Sequence, residues 1–224
     1  MSAVIMMKKW EADAIHGGLT TTTKMPSKSY STPTALCVTG FEMAKIPGSL
    51  CSVCYAQRNN YHRYQNGIEP AQHARYEAML YDPHWAAAMV ASIAYDPYFR
   101  WFDSGDIPSL EALESIVEVC RATPRTLHWL PTREYGMVKA YIAKHGRDSI
   151  PDNLVIRLSA MFPDRPAVVP LSLQGIKNVL TSNVHTSGHL PTGSECGAPK
   201  RGNKCGPCRD CWDTAVEAVS YHKH

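Results

Sequence analysis

Apolar positions through the middle of the chain alternate between two periods. After Asp82-Pro83, Trp85, Met89 and Ile93 share one face of a helix that ends before Asp96-Pro97, with Asp82 as the expected N-cap and Pro83 as the first helical residue. Tyr98-Phe99-Arg100-Trp101-Phe102 follows, a short aromatic run suited to a buried strand. Leu110, Leu113, Val117 and Cys120 then recur at helical spacing, with Ser109 as candidate cap and Pro124 beyond the end. A strand is expected over Thr126–Leu130. Next comes a helix striped by Val138, Tyr141, Ile142 and His145 and stopped by Gly146. Further strands are expected at Leu154–Leu158 and Val179–Val184.

This βαβαβ alternation predicts the α/β class with a parallel sheet and right-handed crossovers. A full (β/α) barrel takes about 200 residues or more. The 224 residues here also carry a cysteine-rich tail, so the expected architecture is a partial (β/α) barrel-like sheet. The expected organisation is a cluster-binding α/β domain over residues 1–190, with a cysteine-rich metal-binding segment, 191–224, packed on it.

Composition is that of an ordinary globular chain, 44% hydrophobic and 19% charged, with a formal net charge of +3. So small an excess disfavours nucleic acid as partner. No apolar stretch approaches the roughly 18 residues of a membrane span. The short run Ala3–Met7 has Lys8 and Lys9 on the wrong side for a signal peptide, so a cytoplasmic location is expected. In that compartment eight cysteines read as metal ligands rather than disulfides.

The cysteines fall into three groups. Cys205-Gly-Pro-Cys208-Arg-Asp-Cys211, with Cys196 upstream, spaces its thiols so that they can curl around one centre. That run suits a [4Fe–4S] cluster, with zinc as the alternative metal. Cys51-Ser-Val-Cys54 is a second half-site. With Cys37 it would give a three-thiol cluster whose open iron can bind a small molecule; alternatively Cys37 is a buried strand residue within Ala35–Val38. Cys120 lies on a helix stripe and is expected in the core.

The strand-to-helix loops supply the remaining candidates, because ligands in parallel sheets sit at the carboxyl ends of strands. They are Asp103-Ser104-Gly105-Asp106, Arg133 and Glu134, and Arg157. The Asp-Ser-Gly run is also ordinary turn chemistry, and Glu134 suits a first helical turn without any further role. Arg157, inside an apolar strand, needs a partner, expected to be Asp103, Asp106 or a bound anion. His185 and His189 read as a chance spacing in a loop, and His222 and His224 as a frayed tail.

Four stretches together resemble the phage "gene product eighty-eight" domain family: Cys51-Ser-Val-Cys54-Tyr55-Ala56, Phe99–Asp106, His128–Glu134 and Lys204–Trp212. The resemblance runs from about Lys24 to the end and implies a phage origin. More distantly, the layout is similar to radical S-adenosylmethionine (SAM) enzymes, which hold a [4Fe–4S] cluster on three cysteines after the first strand. It implies that Cys37, Cys51 and Cys54 take that role, that Ser104-Gly105-Asp106 holds the SAM amino group, and that the C-terminal cysteines hold an auxiliary cluster. The family pattern is C-x3-C-x2-C; here thirteen residues separate Cys37 from Cys51.

Three functions remain open on the sequence. The first is a radical-SAM-like enzyme with one or two clusters, in which Arg133, Glu134 and Arg157 orient a small-molecule substrate. The second is an iron–sulfur electron carrier or redox sensor serving a redox partner. The third is a structural zinc protein that binds a partner or nucleic acid.

Overall fold

The computed structural model describes residues 7–57 and 64–223. Its strands are β1 (Thr20–Thr21), β2 (Lys28–Ser29), β3 (Tyr98–Arg100), β4 (Leu127–Thr132), β5 (Leu154–Ser159), β6 (Val179–His185), β7 (Ser194–Glu195) and β8 (Ala218–His222). They form one open sheet in the order β1-β2-β3-β4-β5-β6-β8-β7. Only the β1–β2 pair is antiparallel. The helices are α1 (Lys9–His16), α2 (Val38–Ala44), α3 (Gln65–Tyr81), α4 (Trp85–Ile93), α5 (Leu110–Ala122) and α6 (Tyr135–His145). Among the described residues, no helix is long and apolar enough to cross a membrane.

The two faces of the sheet bury different things. On one, Phe99, Leu130, Ile156 and Leu158 pack against Met89 and Ile93 of α4 and Leu113, Ile116 and Val117 of α5. Each such side chain contributes about 1.5–3 kcal/mol by leaving water. The register sets Arg100 beside Trp129 and Pro131 beside Arg157, and these residues face the other way. There Trp129 meets Trp212 (ring centroids 5.3 Å apart) and Tyr221 (6.5 Å), so the C-terminal segment covers this second face.

The expected elements stand, with shifted ends. The β3 strand stops at Arg100, because Phe102 turns into the left-handed region at φ 49°. Helix α4 begins at Trp85 with His84 as N-cap; Asp82 instead accepts a bond from the His84 N–H at 2.8 Å. Cys37 is not in a strand but is the N-cap of α2. His222 is not frayed, since it lies in β8 opposite His185; His224 lies outside the described residues. Helices α1 and α3 and strands β7 and β8 had no clear sequence pattern. In α3, Gly67 and Pro70 interrupt the helical signal.

Candidate functional site

Two loops bring Cys37, Cys51 and Cys54 to the carboxyl ends of the central strands. Glu134, just beyond β4, accepts bonds from the Thr39 N–H (2.8 Å) and the Thr39 hydroxyl (2.6 Å), which fixes the first turn of α2 and with it Cys37. The Leu50 N–H donates to the Met161 carbonyl at 2.9 Å, tying the second loop to the end of β5. Within that loop the Ser49 hydroxyl donates to the Met43 carbonyl (2.6 Å) and accepts from the Ser52 N–H (3.0 Å), so Cys51 starts a tight turn.

Gly40 stands between the thiols. A Cβ there would lie 2.8 Å from the Cys37 Cβ, 3.6 Å from its Sγ and 3.9 Å from the Cys51 Sγ. Any side chain would fill the space those two sulfurs border. Burial, and then the charges of Asp106, Cys54, Cys51 and Glu134, push the Cys37 thiol far up. Burial also raises Cys51, which the guanidinium of Arg133 pulls back down. Three thiols, two carboxylates and one cation thus share one electrostatic neighbourhood. Val38, Phe41, Val53 and the ring of Tyr55 surround it as an exposed apolar surface.

The acidic loop lies alongside and is firmly held. The Ser104 hydroxyl donates to the Thr32 carbonyl (3.2 Å) and accepts from the Gln72 amide (2.6 Å). Asp103 is buried, and burial raises its pKa against the pull of Arg100, Ser29 and Arg75. Asp106 Oδ1 accepts from the Thr132 hydroxyl (2.6 Å) and the Ile107 N–H (2.9 Å), and Oδ2 from the Arg133 N–H (2.8 Å). Burial pushes Asp106 up to about 6 despite those bonds.

Arg157 does not pair with Asp103 or Asp106. Fully buried, it donates from Nε to the Cys211 carbonyl (3.0 Å), from Nη1 to Thr181 (3.1 Å) and from Nη2 to Asp210 (2.7 Å) and Asp213 (3.0 Å). The reason is topological: the C-terminal segment crosses the sheet face on which Arg157 stands, and its turn presents carbonyls there. The guanidinium therefore pins the C-terminal cysteines and lies away from the acidic loop.

These cysteines approach the same sheet face from its other end. The Cys205 N–H donates to the Lys24 carbonyl (2.9 Å), and the Cys196 N–H to Ser220 (2.8 Å). The Cys211 sulfur is 3.2 Å from the Tyr221 hydroxyl. Burial pushes Cys211 up to about 12, with Cys196 adding to the shift and Arg157 opposing it. Cys205 is raised by burial and by Cys196, and Cys208 chiefly by burial. Cys120 is fully buried in the core. Among the described residues, no three His, Cys, Asp or Glu side chains form a group that could hold a metal ion.

Sequence reasoning missed Thr39, Gly40, Arg100 and Tyr55. Only Gly40, three residues after a cysteine, left a readable sign. The Tyr55 hydroxyl donates to the Asp103 carbonyl, and Trp212 Nε1 donates to the Phe99 carbonyl at 2.9 Å. His185 Nδ1 pairs with the Ser220 hydroxyl at 2.8 Å, a bond between strands. No curated protein and no solved structure matches this chain. The family model described as Gene product 88 matches residues 8–214, most of the chain and all seven clustered cysteines, so the chain belongs to the Gene product 88 family.

Proposed function

We propose that this chain is a phage-encoded iron–sulfur protein of the host cytoplasm, with Cys37, Cys51 and Cys54 holding a [4Fe–4S] cluster and Cys196, Cys205, Cys208 and Cys211 a second. The carrying observation is the space at Gly40, which a Cβ would fill and which the Cys37 and Cys51 sulfurs border. Four-iron clusters bind each cysteine at a separate iron, so their ligands surround a volume. A zinc ion needs its ligands to meet at one point, which no described group does. Strands β2 to β6 lie side by side in chain order, which supports reading the sheet as a partial barrel with its site at the carboxyl ends.

Such a cluster supplies an electron at low potential and, with SAM on its open iron, starts radical chemistry on a substrate. The chain's own residues prepare the place. Arg133 offsets thiolate charge beside Cys51, Glu134 sets the position of Cys37, and the Asp103–Asp106 loop stands next to the thiols with its backbone fixed. A second reading, an iron–sulfur carrier or sensor without SAM, draws on Asp106. Three of its roughly four acceptor sites are already used, which leaves little for a ligand's amino group.

Anaerobic purification with iron, sulfide and zinc analysis tests the proposal. Iron with matching sulfide is expected, and Cys37→Ala should lower the iron count. Stoichiometric zinc without iron overturns both iron readings. A reduced-cluster spectrum unchanged by SAM leaves only the carrier reading.

A further inference from the structure

We infer that Arg100 is a shared counter-charge joining the two cysteine groups across one sheet face, so that the redox state of each sets the potential of the other. The inference rests on the iron–sulfur reading above and concerns this chain's own residues.

A contact path runs between the groups. Tyr55 follows Cys54 directly, and its hydroxyl donates to the Asp103 carbonyl. The Arg100 guanidinium hydrogen-bonds the same hydroxyl and holds its pKa down against burial. Nη2 of Arg100 approaches the Phe102 carbonyl at 3.4 Å, and Nη1 donates to the Met25 sulfur at 3.3 Å. The guanidinium lies 4.5 Å from the Trp129 ring centroid. Trp129 stacks on Tyr221 at 6.5 Å and 24°, and the Tyr221 hydroxyl stands 3.2 Å from the Cys211 sulfur. Arg100 also favours the charged forms of Cys205 and Cys211. One cation therefore acts on Tyr55 at one end and on two thiols at the other. Arg133 serves only the first group and Arg157 only the second.

Charge decides the consequence. Thiolate-ligated clusters are anionic and gain a further negative charge on reduction. In a weakly screened interior a cation near both makes each reduction easier, and the electron added at one end opposes addition at the other.

The test is a potential titration of anaerobically purified protein with dithionite, followed by electron paramagnetic resonance, on the wild type, Arg100→Met and Arg100→Lys. In the doubly reduced wild type, the two signals should broaden one another and sharpen when Cys205→Ala/Cys208→Ala removes the C-terminal centre. Arg100→Met should lower the reduced-to-oxidised ratio of both centres at least tenfold at a fixed potential, and Arg100→Lys should largely restore it. A shift at one centre alone, or sharp independent signals in the wild type, overturns the inference. Should Arg100→Met not fold, the wild-type titration decides. Reduction of one centre must then lower the reduced fraction of the other by a comparable factor, and independent titration overturns the inference. Zinc in the initial metal analysis overturns the underlying reading and is seen before any titration.

Discussion

Gly105 holds the acidic loop against the chain that follows β2. Its φ is 78°, and a Cβ there would sit 2.0 Å from the Thr32 hydroxyl and 2.6 Å from the Thr32 carbonyl oxygen. Gly48 offers the control, with φ 81° and nothing within 4 Å of its virtual Cβ. Gly48→Ala should cost only the left-handed penalty, about 1–2 kcal/mol. Gly105→Ala adds a backbone collision and should exceed it by roughly 2 kcal/mol more. Urea midpoints of the two variants check this; equal losses would mean that the Thr32 contact yields freely. His128 carries a pH-dependent prediction. Its Nε2 pairs with the Thr123 hydroxyl at 2.8 Å, its Nδ1 has no partner among the described residues, and Trp101 stacks on the ring. Burial depresses its pKa from 6.5 to about 3. The unfolded chain therefore binds the proton first as pH falls, and the stabilisation, complete above 6.5, is lost towards 3. Asp106, raised to about 6, works in the opposite sense, since its stabilisation is lost as pH rises through that value. The clean quantity is thus the stability of wild type minus His128→Gln. It should fall by about 1.4 kcal/mol per pH unit between pH 6 and pH 4. A flat difference would mean that His128 is not held neutral.

Elements were legible wherever packing on one sheet face imposed a period. Helix α5 shows the whole signal: a Ser109 cap whose hydroxyl accepts the Ala112 N–H at 3.1 Å, and a buried stripe through Leu113, Ile116, Val117 and Cys120. Ser109→Ala should cost about 1 kcal/mol and lower the thermal midpoint accordingly; no loss would mean that the cap bond is replaced from solvent. The α3 helix hid because Gly67 and Pro70 break the local pattern and its partly buried face packs on α1 and α4. Strands β7 and β8 hid because glycines and prolines surround them and because their partner β6 is remote in sequence. The site followed the same division. Grouping of the cysteines was readable from spacing, and the loops from their place after strands. Arg157 was readable as a buried charge, but its partner was not, because the Cys211 turn meets it only through the long-range return of the chain. Glu134 read as a first-turn acid, yet it caps the separate helix α2, whose seven residues gave no periodic signal.

At the scale of the molecule, the C-terminal segment completes a sheet face rather than decorating it. It supplies the carbonyls of Asp210, Cys211 and Asp213 to Arg157, the ring of Trp212 to Trp129 and Tyr98, and strand β8 to β6. A chain ending at residue 190 keeps only the Thr181 carbonyl for that guanidinium. Removing the partners of a buried charge costs about 3–5 kcal/mol. Exposing Trp129 and the unpaired edge of β6 adds to this and invites self-association. Typical domains have only about 5–15 kcal/mol in hand. Residues 1–190 alone should therefore fail to form a stable monomer, and Arg157→Leu in the truncated chain should recover part of the loss by removing the stranded charge. Size-exclusion chromatography with amide hydrogen exchange decides between the possibilities. A monomeric 1–190 fragment that protects β4 and β5 as the whole chain does would show that the segment is a removable appendage. Slow exchange in β4 and β5 that appears only when residues 191–224 are present makes the two parts one cooperative unit, with the C-terminal cysteines built into the face they cover.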